Sequence, residues 1–323
     1  MMMRAIEISD GALKPCMRPL PPVHGDDVRI KVMAAGLNRA DIFQVAGNYP
    51  PPPGSSDLPG MEVAGIIDEV GDQATAFHPG DRVCALLTGG GYAEYAVAPV
   101  DQVLALPEHF TFIQGAALPE TFFTCWLNLF DKGALKAGDS LLVHGGASGI
   151  GTTAIMLATA FHIDVIATAG SQQKCDFCLE LGAKAVINYY TEDVVARIKD
   201  ITKGEGVTMV LDILGGDYLA KNLACLKRNG RIVTISLLRG NEATIPLGAL
   251  LMKNLTIMGS TLRSQPPAVK AQIARDLQKH VWPLLTSGSI TPVIDKTFLL
   301  EEAASAHDYM KSNQHKGKII LTV

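Results

Sequence analysis

The sequence has no excess of positive charge, because Lys and Arg total 28 while Asp and Glu total 32, for a net charge of −4. Proteins that bind nucleic acid need a basic surface for the phosphates, so this balance argues against nucleic acid as the main partner. Long apolar runs are also missing, since Gly, polar or charged residues interrupt each hydrophobic stretch well short of the ~20 residues that span a bilayer. We therefore expect neither a nucleic acid nor a membrane among the partners.

A secretory signal and a cysteine framework are missing as well. The first ten residues, MMMRAIEISD, contain no apolar core and no small-residue cleavage site, so no signal peptide is recognised. The six cysteines are scattered along the chain, which does not suggest a set of disulfides and favours a reduced, cytoplasmic setting. The chain does have 323 residues, 48% of them hydrophobic, which suffices for two domains of roughly 150 residues each.

The pattern of the sequence divides the chain into three parts. Residues 1–123 contain short apolar runs, such as Val28–Ala34, between closely spaced Gly and Pro, which is typical of a β-rich domain. Residues 124–263 alternate strand-like and helix-like segments, which indicates βαβ units and a parallel sheet. The last part, residues 264–323, contains a helix-like stretch at Ala268–Leu285 and breaks this alternation. We interpret it as the return of the chain to the first domain.

The strongest motif is a glycine-rich turn between a strand and a helix. The apolar strand Leu141–His144 leads into Gly145–Gly151, and a helix of small and apolar residues follows at Thr152–Phe161. Glycines let the backbone approach a pyrophosphate, whose charge the N–H groups at the helix N-terminus then bind. Because further βα repeats follow, the motif predicts a dinucleotide site.

The glycine spacing in this turn also suits the short-chain dehydrogenases. Those enzymes carry the motif near the N-terminus and need a Tyr-x-x-x-Lys catalytic pair. Here the motif begins at Leu141, and none of the seven tyrosines has a Lys four residues further on. We therefore set this family aside.

The residues after the second strand indicate which dinucleotide binds. An enzyme that uses NAD usually has Asp or Glu about 20 residues past the glycine motif, where the carboxylate bonds the ribose 2′-OH. Residues 168–174 contain no carboxylate but offer Gly170, the hydroxyl of Ser171 and the cation of Lys174. These groups suit a 2′-phosphate, so the sequence favours NADPH. The alternative is that Lys174 is a solvated lysine in the first turn of a helix.

Several longer segments carry a resemblance to a known family. They are Gly36–Asp41, Gly47–Gly54, Gly60–Gly65, Gly80–Val83, Gly91–Tyr95, Thr168–Lys174, Leu237–Gly240 and Gly317–Ile320. With them the chain resembles, over essentially its whole length, the zinc-free quinone oxidoreductases of the medium-chain dehydrogenase/reductase superfamily, and within these the p53-inducible, zeta-crystallin-like branch. The resemblance implies an α/β fold. A Rossmann domain with a doubly wound parallel sheet, residues 124–263, is inserted into a GroES-like β-rich domain, residues 1–123 and 264–323.

The same resemblance allows a test for zinc. Zinc alcohol dehydrogenases hold the catalytic ion with a Cys, the His of a Gly-His-Glu and a second Cys. The matching positions here are Asn38, Met61 and approximately Glu120, which do not provide the three good ligands that catalytic zinc requires. We therefore expect no metal. The pair Cys175-x-x-Cys178 lies in a predicted helix without a partner pair, and we interpret it as helix packing.

The resemblance also implies which residues serve the site. Asn38 and Tyr49 are expected to touch the substrate or the nicotinamide, although Asn38 can equally be a turn residue and Tyr49 a loop aromatic packed on prolines. Lys318 can be a simple charge at the end of a strand. The expected cofactor-binding residues are Thr124, Ser148, Gly149, Ile150, Gly170, Ser171, Lys174, Tyr189, Leu237 and Asn313.

These observations together predict an NADPH-dependent quinone oxidoreductase that passes hydride to a quinone or similar conjugated carbonyl without metal. The sequence shows no strong general acid, which suits quinones because their reduced oxygens can take protons from water. One alternative is an NADPH-dependent alkenal or enoyl reductase, and another is an NADPH-binding sensor or structural protein with little turnover. The apolar segment Leu255–Leu262 predicts an exposed strand at the edge of the Rossmann sheet, and hence a homodimer.

Overall fold

The computed structural model describes residues 1–323 as two compact units. Unit 1 contains Met1–Phe123 and Arg263–Val323, and unit 2 contains Thr124–Leu262. The sequence-based boundary placed Arg263 in the inserted domain, whereas the structure places it in unit 1. The reason is a set of side-chain bonds within unit 1, among them Arg263 Nε to the carbonyl oxygen of Thr88 at 2.7 Å.

The elements are numbered in chain order. The strands are β1 (Met2–Ser9), β2 (Ala12–Pro19), β3 (Asp27–Gly36), β4 (Glu62–Val70), β5 (Arg82–Leu86), β6 (Tyr95–Pro99), β7 (Val103–Ala105), β8 (Ser140–Val143), β9 (Asp164–Ala169), β10 (Ala185–Asn188), β11 (Val207–Asp212), β12 (Leu226–Thr234), β13 (Thr256–Gly259), β14 (Ile294–Leu299) and β15 (Lys318–Thr322). The helices are α1 (Arg39–Val45), α2 (Phe112–Gly115), α3 (Pro119–Cys125), α4 (Gly149–Ala160), α5 (Gln172–Glu180), α6 (Val194–Ile201), α7 (Tyr218–Cys225), α8 (Leu247–Lys253), α9 (Pro267–His280), α10 (Trp282–Thr286) and α11 (Ala303–Lys311). A π-helical segment, Trp126–Lys132, continues α3.

Unit 2 is built on a parallel sheet of six strands in the order β10-β9-β8-β11-β12-β13. Numbered from the first strand of the unit, this is the order 3-2-1-4-5-6 of a doubly wound dinucleotide-binding fold. The strand order reverses between β8 and β11, and ligands of such sheets bind at that point, beyond the carboxyl ends of the strands. The predicted Rossmann domain is therefore confirmed.

The burial of the strands explains why unit 2 forms a parallel sheet with helices on both faces. Every residue of β11 is buried, as expected for a strand covered on two sides. Leu142 of β8, Val210 of β11 and Ile232 of β12 lie in one core with Ile198 of α6 and Leu223 of α7. The continuous apolar character of these strands is the property that predicted them.

Unit 1 contains a seven-stranded, mostly antiparallel sheet in the order β14-β15-β3-β4-β5-β7, with β6 also paired to β3. A separate two-stranded sheet joins β1 and β2. The C-terminal strand β15 lies between β14 and β3, so both ends of the chain contribute to one sheet and one core. The predicted GroES-like β-rich domain is confirmed.

Three predicted elements differ clearly from those in the structure. The helix expected at Thr152–Phe161 begins at Gly149, because Ser148 caps it three residues earlier than predicted. The helix expected at Ala268–Leu285 is divided into α9 and α10, because Pro283 has no N–H to continue the hydrogen bonds of α9. The segment Leu255–Leu262 forms a strand over only Thr256–Gly259, at the end of the sheet as expected. None of the helices combines the length and the apolar character needed to cross a membrane.

Candidate functional site

The glycine-rich turn joins β8 to α4 at the carboxyl end of the parallel sheet. A Cβ atom on Gly151 would collide with the carbonyl oxygen of Gly145, so only glycine lets α4 begin this close to the turn. Ser148 caps α4, because its Oγ accepts a hydrogen bond from Gly151 N at 3.0 Å. The first-turn amides of Gly149 and Ile150 have no partner within the helix. Together with the positive end of the helix they form a site that fits a pyrophosphate.

A buried histidine, His144, is connected to this turn by hydrogen bonds. The Nε2 of His144 lies 2.7 Å from Asn222 Oδ1, and its Nδ1 lies 3.2 Å from Thr168 Oγ1. Thr168 Oγ1 also accepts a hydrogen bond from Gly145 N at 3.3 Å, which connects the ring to the start of the turn. Burial lowers the pKa of His144, so the ring is neutral and donates from Nε2 to the amide oxygen. The sequence analysis missed this role, although a His directly before the glycines was a visible signal.

The residues predicted for the adenosine phosphate come together beyond β9 and β10. A Cβ atom on Gly170 would collide with the phenol oxygen of Tyr189, whose ring packs 4.8 Å from that of Tyr190. Ser171 caps α5, because its Oγ accepts a hydrogen bond from Lys174 N at 3.2 Å. The hydroxyl keeps its own proton for an acceptor. The edge therefore combines a close backbone approach, a hydroxyl and a cation, without a carboxylate in residues 168–174.

The remaining predicted cofactor residues are Thr124, Leu237 and Asn313. Thr124 is buried in α3, and its carbonyl oxygen accepts a hydrogen bond from Asn128 Nδ2 at 2.8 Å. Leu237 follows β12 with 52% of its surface exposed. Asn313 follows α11 in unit 1, where its Oδ1 accepts a hydrogen bond from Arg39 Nη2 at 2.7 Å.

In unit 1, Asn38 belongs to a buried polar cluster. The Lys318 ammonium donates to three oxygens: Leu37 O at 2.8 Å, Asn38 Oδ1 at 2.7 Å and Glu62 Oε1 at 2.6 Å. Asn38 Nδ2 donates to the same Glu62 oxygen at 2.8 Å. Glu62 is 0% exposed and Lys318 only 3%. Lys318 is therefore the buried ionic partner of Glu62 and not a simple charge at a strand end. Asn38 orients this ion pair, because its amide bonds to both members.

The second oxygen of Glu62 leads to two further titratable groups. Glu62 Oε2 accepts a hydrogen bond from the backbone amide of Glu120 at 2.9 Å. Burial, and next the charge on Glu62, raise the pKa of Glu120 to about 8. Burial, and next the charge on Glu120, raise the pKa of Tyr49 to about 12, while the Arg263 guanidinium lies 5.4 Å from the centre of that ring. At neutral pH both Glu120 and Tyr49 therefore carry a proton that they can give to a ligand.

The residues at the zinc positions do not fit a zinc ion. The amide of Asn38 is occupied by Glu62 and Lys318, the thioether of Met61 is an uncharged soft donor, and Glu120 is protonated at neutral pH. The Lys318 ammonium already neutralises Glu62, so a second cation would be repelled.

The Cys175-x-x-Cys178 pair contributes to packing and not to a metal site. Cys175 and Cys178 are free thiols, both buried on α5. The Sγ of Cys178 lies 3.0 Å from the position that a Cβ on Gly146 would take, so it packs directly under the glycine-rich turn. No group of three or more His, Cys, Asp or Glu side chains in residues 1–323 is arranged to hold a metal ion.

Comparison with known proteins gives consistent matches over nearly the whole chain. Residues 24–108 match the family model of the alcohol dehydrogenase GroES-like domain, and residues 149–279 match that of the zinc-binding dehydrogenases. The human quinone oxidoreductase is 35% identical over 307 residues, which cover 94% of this chain and 90% of that protein.

Two solved structures are similar throughout. The Escherichia coli quinone oxidoreductase complexed with NADPH has a TM-score of 0.89 at 28% identity, covering 99% of this chain and 100% of that one. The CurK enoyl reductase has a TM-score of 0.87 at 28% identity and covers 99% of each chain.

Proposed function

Because the chain belongs to the zeta-crystallin-like quinone oxidoreductases of the medium-chain dehydrogenase/reductase superfamily, we propose that it passes hydride from NADPH to a quinone or a similar conjugated carbonyl without metal. The observation that carries the proposal is the glycine-rich turn at the switch point of a sheet with order 3-2-1-4-5-6, followed by a phosphate-binding edge without a carboxylate. The first feature accounts for a nicotinamide dinucleotide and the second for NADPH.

The pyrophosphate would be held by the first turn of α4. The amides of Gly149 and Ile150 donate to its oxygens, and Ser148 fixes the direction of that turn as the helix cap. Gly151 keeps the helix close enough for these amides to converge. His144 holds the turn in this conformation from below.

The preference for NADPH would come from the edge beyond β9. The 2′-phosphate carries negative charge, which the Lys174 ammonium neutralises and the Ser171 hydroxyl can bond. Gly170 allows the close approach, and Tyr189 packs against the same backbone. The NADPH complex of the similar Escherichia coli enzyme supports this assignment.

The acceptor would lie against the polar residues of unit 1, with Asn38 and Tyr49 nearest to it. Bound NADPH supplies the hydride, and the protein contributes orientation and hydrogen bonds. The Tyr49 hydroxyl is protonated and can donate to a carbonyl oxygen as negative charge develops on it. Thr124, Leu237 and Asn313 are proposed to orient the nicotinamide, as the family resemblance implies.

Reduction of an alkenal or enoyl substrate is a second candidate. The similarity to the CurK enoyl reductase favours it, since that protein has the same fold at comparable identity. Such a reaction must protonate carbon after hydride addition and so requires a stronger proton donor than quinone reduction does.

Titration of the purified protein with NADPH and NADH, followed spectroscopically, tests the cofactor. Addition of 1,2- and 1,4-quinones, and separately of 2-alkenals, while absorbance is read at the reduced-nicotinamide band, tests the reaction. We expect NADPH to bind at least about tenfold more tightly than NADH, a difference of about 1.4 kcal/mol, and to be consumed with quinones. Consumption with 2-alkenals alone would establish the second candidate instead, and tight binding without any consumption would contradict both.

A further inference from the structure

The polar groups of unit 1 around Glu62 divide into those with hydrogen-bond partners and those without. The Lys318 ammonium uses all three of its protons on protein oxygens, and the Asn38 amide is bound at both ends. By contrast, the carboxyl group of Glu120 and the hydroxyl of Tyr49 make no side-chain hydrogen bond within the chain. Glu120 is also partly exposed, so its carboxyl group is within reach of a small molecule.

The position of Glu120 is fixed by the same carboxylate that orients Asn38. Glu62 Oε1 accepts from Asn38 Nδ2 at 2.8 Å and from Lys318 at 2.6 Å, while Glu62 Oε2 accepts from Glu120 N at 2.9 Å. Because the two oxygens of one carboxylate are adjacent, the backbone of Glu120 lies close to the Asn38 amide. Its charge also acts on Tyr49, the other residue proposed to touch the acceptor.

We propose that Glu120, in its neutral acid form, is the catalytic residue that donates the proton to the reduced acceptor. This inference rests on the proposed hydride transfer and names a proton donor for it. The sequence analysis found no such acid, because Glu120 was visible there only as a residue near a lost zinc position.

The surroundings of Glu120 explain why it stays protonated. Burial is the main cause of its raised pKa of about 8, and the negative charges of Glu62 and Asp41 add to it. The positive charges of Lys318 and Lys270 lower the pKa of Glu120, so the carboxylate can form above about pH 8. The charged and titratable groups that act on this region are Glu62 of β4, Lys318 of β15, Asp41 of α1, Lys270 of α9, and Tyr49 and Arg263 from the intervening segments.

The two-electron reaction consumes one hydride and one proton. The acceptor receives a hydride from bound NADPH and one proton from Glu120, so the O–H bond of the acid breaks and a new bond to hydrogen forms on the reduced acceptor. Glu120 is left as a carboxylate whose charge Lys318 and Lys270 offset. Since the side chain is partly exposed, water can return the proton before the next turnover.

The test compares Glu120→Gln and Glu120→Asp with Glu108→Gln, an exposed glutamate of unit 1 as the matched control. For each protein kcat and KM with one quinone are measured from about pH 5.5 to pH 9.5, with the solvent isotope effect, the NADPH affinity and the thermal midpoint. In the wild type kcat should fall as the pH rises through about 8. Glu120→Gln should lower kcat about 100-fold at neutral pH and abolish this alkaline limb, with NADPH affinity unchanged.

The two other variants complete the test. Glu108→Gln should behave as the wild type, and Glu120→Asp should keep an alkaline limb with a lower kcat and a shifted midpoint. If Glu120→Gln does not fold, an Asp variant with the wild-type midpoint and kcat would overturn the inference.

The outcomes also separate this inference from the proposed function. Normal wild-type turnover, with a Glu120→Gln variant that retains the wild-type kcat and alkaline limb, would overturn only the role of Glu120. Wild-type protein that consumes NADPH with no quinone and no alkenal would overturn the proposed function, and this inference with it.

Discussion

The ammonium of Lys318 lies 2.6 Å from the carboxylate of Glu62, and both side chains are almost completely removed from water. The two residues come from β15 and β4 and are 256 residues apart in the chain. Removing one member of such a pair leaves an uncompensated buried charge, whereas removing both replaces the pair with neutral groups.

We therefore expect Lys318→Met to lower the free energy of unfolding by about 3–5 kcal/mol, and Glu62→Gln combined with Lys318→Met to recover part of that loss. Urea denaturation of the three proteins measures both values. Lys184→Met is the matched control, because its ion pair with Asp164 is also 2.6 Å long but exposed, and it should cost less than about 1 kcal/mol. Equal losses in the two single variants would contradict the importance of burial.

Gly151 and Gly248 provide a contrast between two helical glycines. A Cβ on Gly151 would collide with the backbone of the glycine-rich turn, whereas a Cβ on Gly248 of α8 meets nothing within 4 Å. Gly151→Ala should lower the free energy of unfolding by about 1–3 kcal/mol and weaken NADPH binding at least about tenfold. Gly248→Ala should stabilise the protein by about 0.5–1 kcal/mol and leave binding unchanged. Thermal melting measures the change in stability, and cofactor titration measures the change in NADPH affinity. A Gly151→Ala variant with the NADPH affinity of the wild type would count against the turn as the pyrophosphate site.

Lys174 is expected to recognise the 2′-phosphate. Lys174→Asp places a carboxylate where NAD enzymes often carry one, so it should reduce the ratio of NADPH to NADH affinity by at least about tenfold. Fluorescence titration with both cofactors measures the ratio. The control is Lys203→Asp, at an exposed turn of unit 2, which changes net charge by the same amount. An unchanged ratio in Lys174→Asp would remove Lys174 from the site.

The edge of the parallel sheet provides a prediction about assembly. The edge strand β13 has Ile257 37% exposed, and the neighbouring Leu251 and Met252 of α8 are also exposed. We propose that this edge pairs with a second copy of the chain, so the protein should elute as a homodimer in size-exclusion chromatography with light scattering. Ile257→Lys should shift it toward the monomer. Leu179→Lys, at an exposed position of α5, should not, and a wild-type monomer would refute the proposal.

Glu120 also affects how stability depends on pH. Its pKa of about 8 in the folded chain exceeds the ordinary value of 4.5, so the folded state holds the proton more tightly than the unfolded state. Stability from this group is present below pH 4.5 and is lost as the pH rises through about 8. Glu120→Gln should therefore gain stability over the wild type as the pH rises from about 5 to about 9, by on the order of 1–3 kcal/mol. Melting curves across this range measure the gap, and a constant gap would argue against the raised pKa.

Much of the fold was predictable from local pattern. The glycine-rich turn, the apolar strand before it and the repeated strands after it predicted the parallel sheet, because each signal is contained within a few consecutive residues. The start of a helix at Ser171 and Lys174 followed in the same way, whereas the helix predicted from Thr152 begins earlier, at Gly149, with Ser148 as its cap. The division of the helix near Pro283 was missed because the apolar pattern continues across it.

The candidate site in unit 1 was less predictable, because it depends on contacts between residues distant in the chain. Lys318 resembled a charge at a strand end until the structure placed it against Glu62 and Asn38. The acidity of Glu120 likewise depends on burial and on the carboxylate of Glu62, neither of which is visible from its neighbours in the sequence. Arg263 became part of unit 1 only through its contacts with distant residues such as Gln44.

The placement of β15 between β14 and β3 has a consequence for the order in which a ribosome can produce a folded protein. Unit 2 is one continuous segment, Thr124–Leu262, and all of it emerges from the ribosome before the C-terminal part of unit 1. It can therefore fold while translation proceeds. The first 123 residues must wait with an unfilled sheet edge, and with the Glu62 carboxylate uncompensated, until Lys318–Thr322 emerges. During that interval the end of β3 at Ala34–Gly36 lacks its partner strand, while β6 covers Asp27–Lys31, so this short edge is where the nascent segment can pair with other strands.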